Sequence, residues 1–145
     1  MKRTITVTAL AALLVAGPAA AQGDKSAAPV RVVYHLSDGN AQATNAIRNI
    51  RNHLTADPSA KIVVVSHAAG IQFLLDGALD GNGAPFDAAV QDLKGKGVDF
   101  RVCRFTLERN NIDPKKVIPE ASLVPSGVAE VSRLQFKEGF AYLRP

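Results

Sequence analysis

Cys103 is the only cysteine in the 145-residue sequence, at the end of the stretch GVDFRVC and directly before Arg104. The thiolate form of cysteine is the nucleophile, and positive charge nearby favours that form over the thiol. Arg104 is adjacent to Cys103, and Arg101 lies two residues before it, on the same face of a predicted strand. Both arginines are therefore candidates for stabilising a thiolate. Free cysteine is also among the most buried residue types and often only fills space. The local sequence therefore leaves a reactive thiol and a structural one as alternatives.

Five apolar stretches predict the β-strands that would position these groups. They are VRVVYHL (30–36), KIVVVSH (61–67), VDFRVC (98–103), SLVPS (122–126) and GFAYLRP (139–145). Apolar residues at helical spacing separate them, in the groups Ala43, Ile47, Ile50 and Leu54; Phe86, Ala89, Val90 and Leu93; and Val128, Val131 and Leu134. We expect a loop and turn over 68–77 and short helical turns over 104–121, where two prolines interrupt the chain. The alternation of strands and helices predicts an α/β fold, a three-layer sandwich in which a mainly parallel sheet of about five strands has helices on both faces.

Polar side chains follow the strands at the points where the strands end. His35, His67, Cys103 and Ser126 come at or near the ends of four different strands. Functional sites of open parallel sheets gather beyond the carboxyl ends of the strands, so we expect these side chains at one edge. We predict Cys103 and His67 as catalytic residues, with His67 or His35 assisting proton transfer. The residues predicted to support binding of the thiolate or an anion are His35, Arg101, Arg104 and Ser126.

Each of these residues also has a purely structural interpretation. His35 and His67 could only bond to backbone carbonyls at the strand ends, and His53, on the side of a helix, is expected to be only solvated. Ser126 follows a proline and does not form a nucleophile elbow, so a hydrolase triad has little support. We expect no metal and no cofactor, because no pair of candidate ligands has metal-ligand spacing. A metal site built from His35, His67 and Cys103 would require the three side chains to converge.

The N-terminus has the three parts of a secretory signal peptide. Lys2 and Arg3 make a basic start, an apolar run covers 4–15, and a small-residue triplet ends at Ala21. The apolar run is shorter than the roughly 20 residues that span a bilayer. We therefore predict a signal peptide over 1–21 with cleavage after Ala21, a periplasmic location, and no membrane insertion after cleavage.

The rest of the chain is expected to form a single domain over 30–145, preceded by a flexible segment over 22–29. Removal of the signal peptide takes away two of the 17 basic residues and leaves 15 against 13 acidic ones. Charges so evenly mixed, with no basic run interleaved with aromatics, give nucleic-acid binding no support. In an oxidising compartment we expect an unpaired thiol to be buried, to form a disulfide with another chain, or to take part in a reaction.

The sequence resembles the DsrE/DsrF-like family, including its small exported members, over nearly all of residues 30–145. The likeness rests on VVYHLSDG, KIVVVSHAAGIQFLL, LKGKGVDFRVCRFTLERNNID and VPSGVAEVSRLQFKEGFAYLRP. The resemblance implies a compact α/β fold, assembly into homo-oligomers such as trimers or hexamers, and a family cysteine at Cys103. In the sulfur-relay branches that cysteine carries sulfur as a persulfide and passes it to a partner's thiol. His67, in SHAAG, matches a histidine or polar position commonly seen near the site.

Two functions are compatible with these observations. The first is an exported, thiol-based sulfur carrier, similar to a sulfurtransferase, that uses a single cysteine persulfide and exchanges sulfur with donor and acceptor proteins. One cysteine suits carriage between partners and argues against a dithiol oxidoreductase, which needs a resolving thiol. The alternative is a non-catalytic homo-oligomeric binding module for a small ligand or a partner protein, in which Cys103 is structural. Relay members work in the cytoplasm, whereas this chain is predicted to be exported.

Overall fold

Five β-strands form one sheet in the residues described by the computed structural model, 28–145. They are β1 (Arg31–Leu36), β2 (Lys61–Ser66), β3 (Asp99–Cys103), β4 (Ala121–Val124) and β5 (Ala141–Leu143). Every pairing is parallel, and the strand order is β4-β3-β2-β1-β5. The predicted signal peptide over 1–21, and the predicted flexible segment up to residue 27, lie outside the described residues.

Helices cover both faces of this sheet, which confirms the predicted α/β fold class. They are α1 (Gly39–Ala56), α2 (Phe86–Gly95), α3 (Arg104–Arg109) and α4 (Gly127–Glu138), together with 3₁₀ helices at Ala68–Leu74 and Pro114–Lys116. Between residues 28 and 145, no helix combines the length and the apolarity needed to cross a membrane.

The strands separate two apolar clusters, because successive side chains of a strand point to opposite faces. The larger cluster packs under α1, α2 and α3 and includes Val32, Ile62 and Phe100. The smaller cluster packs under α4 and consists of Val33, Val63, Val65, Val131 and Leu134, with Phe140 against it. The central strands are therefore apolar on both faces, as expected for a parallel sheet covered on both sides.

Two segments differ from the sequence-based expectation. Residues 68–74 form a 3₁₀ helix instead of a loop and turn, because buried Ile71, Phe73 and Leu74 pack into the larger cluster. The last strand is only three residues long, because α4 ends at Gly139 in the left-handed conformation and the strand begins two residues later. The short helical turns predicted over 104–121 are present as α3 and the second 3₁₀ helix.

Candidate functional site

The carboxyl ends of four strands meet at one edge of the sheet and bring the candidate residues together. Cys103 is the last residue of β3, His67 directly follows β2, His35 is in β1, and Ser126 comes two residues after β4. A cavity of about 660 Å³ opens at this edge, and His67, Cys103 and Ser126 contribute to its wall. His35 lies next to the cavity rather than in its wall, since its ring is hydrogen bonded to that of His67.

The rest of the cavity wall is part apolar and part polar. Phe105 and Val128 are 59% and 60% exposed and border the opening, although both side chains are apolar. Thr106, Gln72 and Arg109 add a hydroxyl, an amide and a cationic group to the wall. The cavity therefore offers hydrogen-bonding groups and one positive charge beside apolar surface.

Gly127, the first residue of α4, lies between His67 and Cys103. A Cβ atom built on this glycine would be 3.0 Å from the Cβ of His67 and 3.2 Å from the Cβ of Cys103. A side chain at position 127 would therefore push α4 away from the site. Ser126 caps the helix, because its Oγ accepts a hydrogen bond of 3.3 Å from the backbone N–H of Ala129.

The thiol of Cys103 is nearly buried, with only 5% of the residue exposed. Burial alone raises the pKa of this thiol, but hydrogen-bond donors around the sulfur outweigh that effect and hold the pKa below its ordinary value. These donors are the hydroxyl of Thr106 and the backbone N–H groups of Gly127, Thr106 and Phe105, although the Cys103 side chain makes no cap hydrogen bond at the start of α3. Hydrogen bonds to the charged form favour that form, so the site stabilises the thiolate.

Thr106 is held in position by a hydrogen bond from the segment after β2. Its Oγ1 accepts a bond of 3.1 Å from the backbone N–H of Ala68, which leaves the hydroxyl hydrogen available for the sulfur of Cys103. Ala68 has a positive φ of 49°, which is uncommon for a residue with a side chain, and its N–H points toward α3. Gly70 completes the turn, because a Cβ there would lie 2.3 Å from the carbonyl oxygen of Leu36.

The two arginines proposed from the sequence do not act on the thiol in the way that their spacing suggested. Arg101 lies on the predicted strand face, but its guanidinium pairs with Asp99 at 2.6 Å and with Glu130 of α4. Arg104 is exposed at the start of α3. Neither arginine is among the groups that lower the pKa of Cys103. Backbone N–H groups and a hydroxyl take the place of the expected cations.

His35 and His67 form a direct pair. Their Nε2 atoms are 2.6 Å apart, and the ring planes are 25° from parallel with centroids 4.7 Å apart. The other ring nitrogen of His35, Nδ1, lies 2.7 Å from the hydroxyl oxygen of Tyr142 in β5. The side chains of both histidines therefore bond to other side chains, and the backbone-bonding interpretation does not describe these contacts.

The surroundings of the pair favour uncharged imidazole rings. Burial is the main cause that lowers the pKa of His35, and the charges of His67 and Arg144 act in the same direction. Burial and Arg144 also lower the pKa of His67, while Asp38 raises the pKa of both rings. At neutral pH the pair is consequently able to accept a proton.

The geometry of the histidine pair is that of a hydrogen bond rather than of a metal site. A zinc ion bound by two imidazole nitrogens lies about 2.0–2.1 Å from each, and a separation of 2.6 Å is too small for such a bridge. Among residues 28–145, no group of three or more histidine, cysteine, aspartate or glutamate side chains is arranged to hold a metal ion.

Sequence reasoning missed two participants in this region. Thr106 helps to lower the pKa of Cys103, and Tyr142 bonds to His35. Thr106 had a weak signal, since it lies in the first turn of the helix that begins after Cys103. The expectation for His53 was wrong, because its Nδ1 is 3.0 Å from the hydroxyl oxygen of Tyr34.

Two solved structures share this fold. The structure of a protein of unknown function, MTH1491 from Methanobacterium thermoautotrophicum, is 32% identical with a TM-score of 0.69, over 80% of this chain and 99% of that chain. The crystal structure of the ychN protein from E. coli is 13% identical with a TM-score of 0.62, over 81% of this chain and 99% of that one, and shows likeness of fold alone. A comparison with curated proteins gives no significant match.

The family assignment rests on the sequence as well as on the fold. The model of the DsrE/DsrF-like family matches residues 30–145, which include every strand and helix described above. This match covers Cys103 with its cavity and the histidine pair. The chain therefore belongs to the DsrE/DsrF-like family.

Proposed function

We propose that this protein is an exported sulfur carrier that holds sulfane sulfur as a persulfide on Cys103. The observation that carries the proposal is the setting of the thiol. It lies in the wall of a cavity, among the hydroxyl of Thr106 and backbone N–H groups that lower its pKa. Membership of the DsrE/DsrF-like family supports the same chemistry, since the sulfur-relay branches of this family use a cysteine at the corresponding position.

In the loading step, the thiolate of Cys103 attacks the outer sulfur of a sulfane donor such as thiosulfate. A bond forms between Sγ and that sulfur, the sulfur–sulfur bond of thiosulfate breaks, and sulfite leaves with the electron pair. Total charge is the same on both sides, so the step needs no proton, oxidant or reductant from elsewhere. The cavity of about 660 Å³ lies within the range of about 300–1,000 Å³ that is typical of small-molecule sites.

In the unloading step, an acceptor thiolate attacks the outer sulfur of the persulfide. The bond between that sulfur and Sγ breaks, its electron pair returns to Cys103, and the acceptor leaves as a persulfide. An acceptor that arrives as a thiol must first lose its proton, and His67 is a base in the wall of the same cavity. Because Cys103 is the only cysteine in the sequence, no second thiol of the chain can resolve the persulfide into a disulfide.

The experiment is intact-protein mass spectrometry after incubation with thiosulfate or polysulfide. The expected result is a mass increase of one sulfur atom on the native protein, lost after treatment with a reducing agent and never formed on Cys103→Ser. Ser126→Ala serves as the matched control, because it alters a cavity residue that caps α4 without removing the thiol. An unmodified native protein, or a sulfur adduct that persists in Cys103→Ser, would contradict the proposal.

A non-catalytic binding module is the second candidate, and the opening of the cavity favours it. Exposed Phe105 and Val128 form an apolar border that suits a small ligand or a partner segment. Thiol labelling separates the two functions. Slow labelling of Cys103 in the native protein, fast labelling only in denaturant, and unchanged ligand binding by Cys103→Ala would favour the binding module.

We further propose that the protein is exported to the periplasm by its N-terminal signal peptide. The basic start, the short apolar run and the small-residue triplet ending at Ala21 support this proposal. N-terminal sequencing of the protein from the periplasmic fraction should give Gln22 as the first residue. Full-length protein retained in the cytoplasm would contradict it.

Assembly into a homo-oligomer, a trimer or a hexamer, is also proposed. Phe136 on α4 is 92% exposed and Leu143 of the edge strand β5 is 42% exposed, so apolar surface is available for contacts between subunits. Light scattering of the purified protein should report a mass of three or six subunits. A monomer at all concentrations tested would contradict this proposal.

A further inference from the structure

Three side chains make a continuous hydrogen-bonded series from the protein surface to the cavity that holds Cys103. Tyr142 is 40% exposed, and its hydroxyl oxygen lies 2.7 Å from Nδ1 of His35. Nε2 of His35 lies 2.6 Å from Nε2 of His67, which contributes to the cavity wall. Within residues 28–145, the side chain of His67 bonds only through Nε2, so its Nδ1 has no partner in the protein. The series therefore has one end at solvent and the other at the cavity.

We propose that Tyr142, His35 and His67 form a proton relay, which takes a proton from an acceptor thiol in the cavity and releases it at the protein surface. The inference rests on the proposed sulfur-carrier function and adds the route by which protons enter and leave the site. His67 is the residue that would touch the acceptor, while His35 and Tyr142 act through it as positioning residues.

The short distance between the two Nε2 atoms determines how the rings share hydrogen. Only one hydrogen atom fits between two nitrogens 2.6 Å apart, so one ring donates and the other accepts. When His67 donates from Nε2, its Nδ1 is unprotonated and able to take a proton from a ligand. His35 then accepts at Nε2 and donates from Nδ1 to the oxygen of Tyr142. The hydrogen-bonding state of one end of the series thus sets that of the other end.

Proton transfer through this arrangement is balanced at every atom. The acceptor thiol gives its proton to Nδ1 of His67, and the Nε2 proton of His67 passes to Nε2 of His35. The Nδ1 proton of His35 passes to the oxygen of Tyr142, whose own hydroxyl proton goes to water. Both rings are again neutral, and each holds its hydrogen on the opposite nitrogen. The acceptor thiolate is left to attack the persulfide on Cys103.

Sulfur uptake from a thiol-based donor would return the relay to its first state. When the Cys103 thiolate takes sulfur from a donor persulfide, the donor leaves as a thiolate. That thiolate takes the proton from Nδ1 of His67, and a proton from water enters at Tyr142 and moves along the series in the opposite direction. Loading and unloading therefore alternate the two hydrogen-bonding states, with no net gain or loss of protons by the relay.

Charged groups around the pair are consistent with a neutral, proton-accepting relay. The groups that face it are Arg144 and Asp38, which bond to each other at 2.6 Å, and Tyr142. Burial lowers the pKa of both histidines, so the pair stays uncharged at neutral pH. Proton acceptance should fail in acid, when the pair already carries an extra proton.

A second histidine–tyrosine pair in the same chain provides a matched control. Nδ1 of His53 and the hydroxyl of Tyr34 are 3.0 Å apart, a geometry similar to that of His35 and Tyr142. Neither His53 nor Tyr34 lines the cavity. His53→Asn removes an imidazole bonded to a tyrosine hydroxyl without touching the relay.

The test measures the rate at which persulfide on Cys103 is transferred to 2-mercaptoethanol, as a function of pH. Thiosulfate is used to load four proteins: the native protein, His35→Asn, Tyr142→Phe and His53→Asn. Mass spectrometry then follows the loaded species of each. At neutral pH we expect transfer by His35→Asn to be slower by up to about 100-fold, because His67 remains as the base but loses the partner that takes its Nε2 proton. Tyr142→Phe should slow it by a smaller factor, because water can replace the hydroxyl, and His53→Asn should match the native rate.

The pH profile separates a relay from a merely structural role. Native transfer should fall in acid, at a pH below the ordinary histidine pKa of about 6.5 because the pKa of both histidines is lowered, and His35→Asn, which leaves only His67 to titrate, should shift the pH of that fall. Equal rates and equal profiles for native protein, His35→Asn and Tyr142→Phe would overturn the relay. A native protein that takes up no sulfur would instead overturn the carrier function, and this is detected at the loading stage. Tyr142 lies in an exposed strand, so Tyr142→Phe tests the relay even if His35→Asn does not fold.

Discussion

The two faces of the sheet differ in what packs against them. The face under α1 and α2 is mostly apolar and contains three phenylalanine rings, with the centroid of Phe73 5.7 Å from that of Phe86 and 6.3 Å from that of Phe100. The face under α4 has a buried apolar cluster of only five residues. Around that small cluster lie the thiol of Cys103, the histidine pair, and the ion pair between Arg101 and a glutamate of α4.

This difference assigns separate tasks to the two faces. Apolar burial is the dominant favourable contribution to folding, so the larger cluster supplies most of the stability. Polar and charged groups are tolerated near the smaller cluster because each has a partner, as Arg101 has in Asp99 and Glu130. The groups that can do chemistry are therefore concentrated on the face with less apolar packing, where α4 positions Gly127 beside the thiol.

The largest expected effect compares one buried aliphatic residue on each face. Ile50 of α1 and Leu134 of α4 are both fully buried, at 1% and 0% exposed. Ile50→Ala should lower the free energy of unfolding by about 2–5 kcal/mol, because it leaves a cavity in the larger cluster. Leu134→Ala should cost less, since the smaller cluster has fewer neighbours to lose. Denaturant unfolding measures both values.

The same two variants should affect the pKa of Cys103 in the opposite order, with the larger effect from Leu134→Ala. Leu134→Ala loosens α4 and the N–H of Gly127, so the pKa of Cys103 should rise. Ile50→Ala should leave that pKa near its native value, because α1 gives no hydrogen bond to the thiol. The pH dependence of alkylation measures the pKa. A larger rise of the Cys103 pKa in Ile50→Ala than in Leu134→Ala would contradict the assignment of separate tasks to the two faces.

Arg101→Met is expected to have an intermediate effect, confined to stability. Its side chain is 21% exposed and that of Glu130 is 11% exposed, so the variant leaves a largely buried carboxylate with one partner fewer. We expect a loss of about 1–3 kcal/mol at neutral pH. The matched control is Arg51→Met, which removes the exposed pair with Asp92 and should cost about 1 kcal/mol or less.

The stability difference between native protein and Arg101→Met should depend on pH. Arg133 is the main cause that holds the pKa of Glu130 below its ordinary value; burial opposes it, and Arg101 adds to the lowering. A depressed carboxyl pKa stabilises the fold above the unfolded value of about 4.3, and that stability is lost as the pH falls through the folded value. The stability difference between the two proteins should therefore be largest at pH 7 and should become smaller in acid. The pKa of Cys103 should hardly change, and a rise of a full unit would restore Arg101 as a direct partner of the thiol.

The strands, the helices and the edge where the polar residues gather were predictable from the sequence. Strand runs and helical spacing are local patterns, and the rule that sites gather at the carboxyl ends of strands placed His35, His67 and Cys103 together. The contact between His35 and Tyr142 was not predictable in this way. It depends on β5 pairing with β1, between residues 107 positions apart, and sequence patterns leave that strand order open.

The partners of the charged and nucleophilic groups were also beyond local patterns. Spacing placed Arg101 on the same strand face as Cys103, yet the guanidinium pairs with Glu130, whose position depends on how α4 packs. The donors to the thiol come largely from backbone N–H groups, which every sequence contains. Backbone donors become a site only when helices begin at the right place, so residue types alone do not reveal them.

The smallest expected effect concerns one hydroxyl group. Thr106→Val keeps the shape of the side chain and removes the hydroxyl that helps to lower the pKa of Cys103, so the pKa of the thiol should rise. Thr106→Ser retains the hydroxyl and should keep the native pKa. Alkylation rates measured across a pH series give the midpoint for each protein, and the native midpoint should lie below the ordinary cysteine value of about 8.5. Because Thr106 also accepts the N–H of Ala68, the valine variant leaves that donor unpaired and should lose about 1–3 kcal/mol of stability. Equal midpoints for the valine and serine variants would show that backbone N–H groups alone favour the thiolate, and the difference between the two faces would then rest on the position of α4 rather than on any side chain.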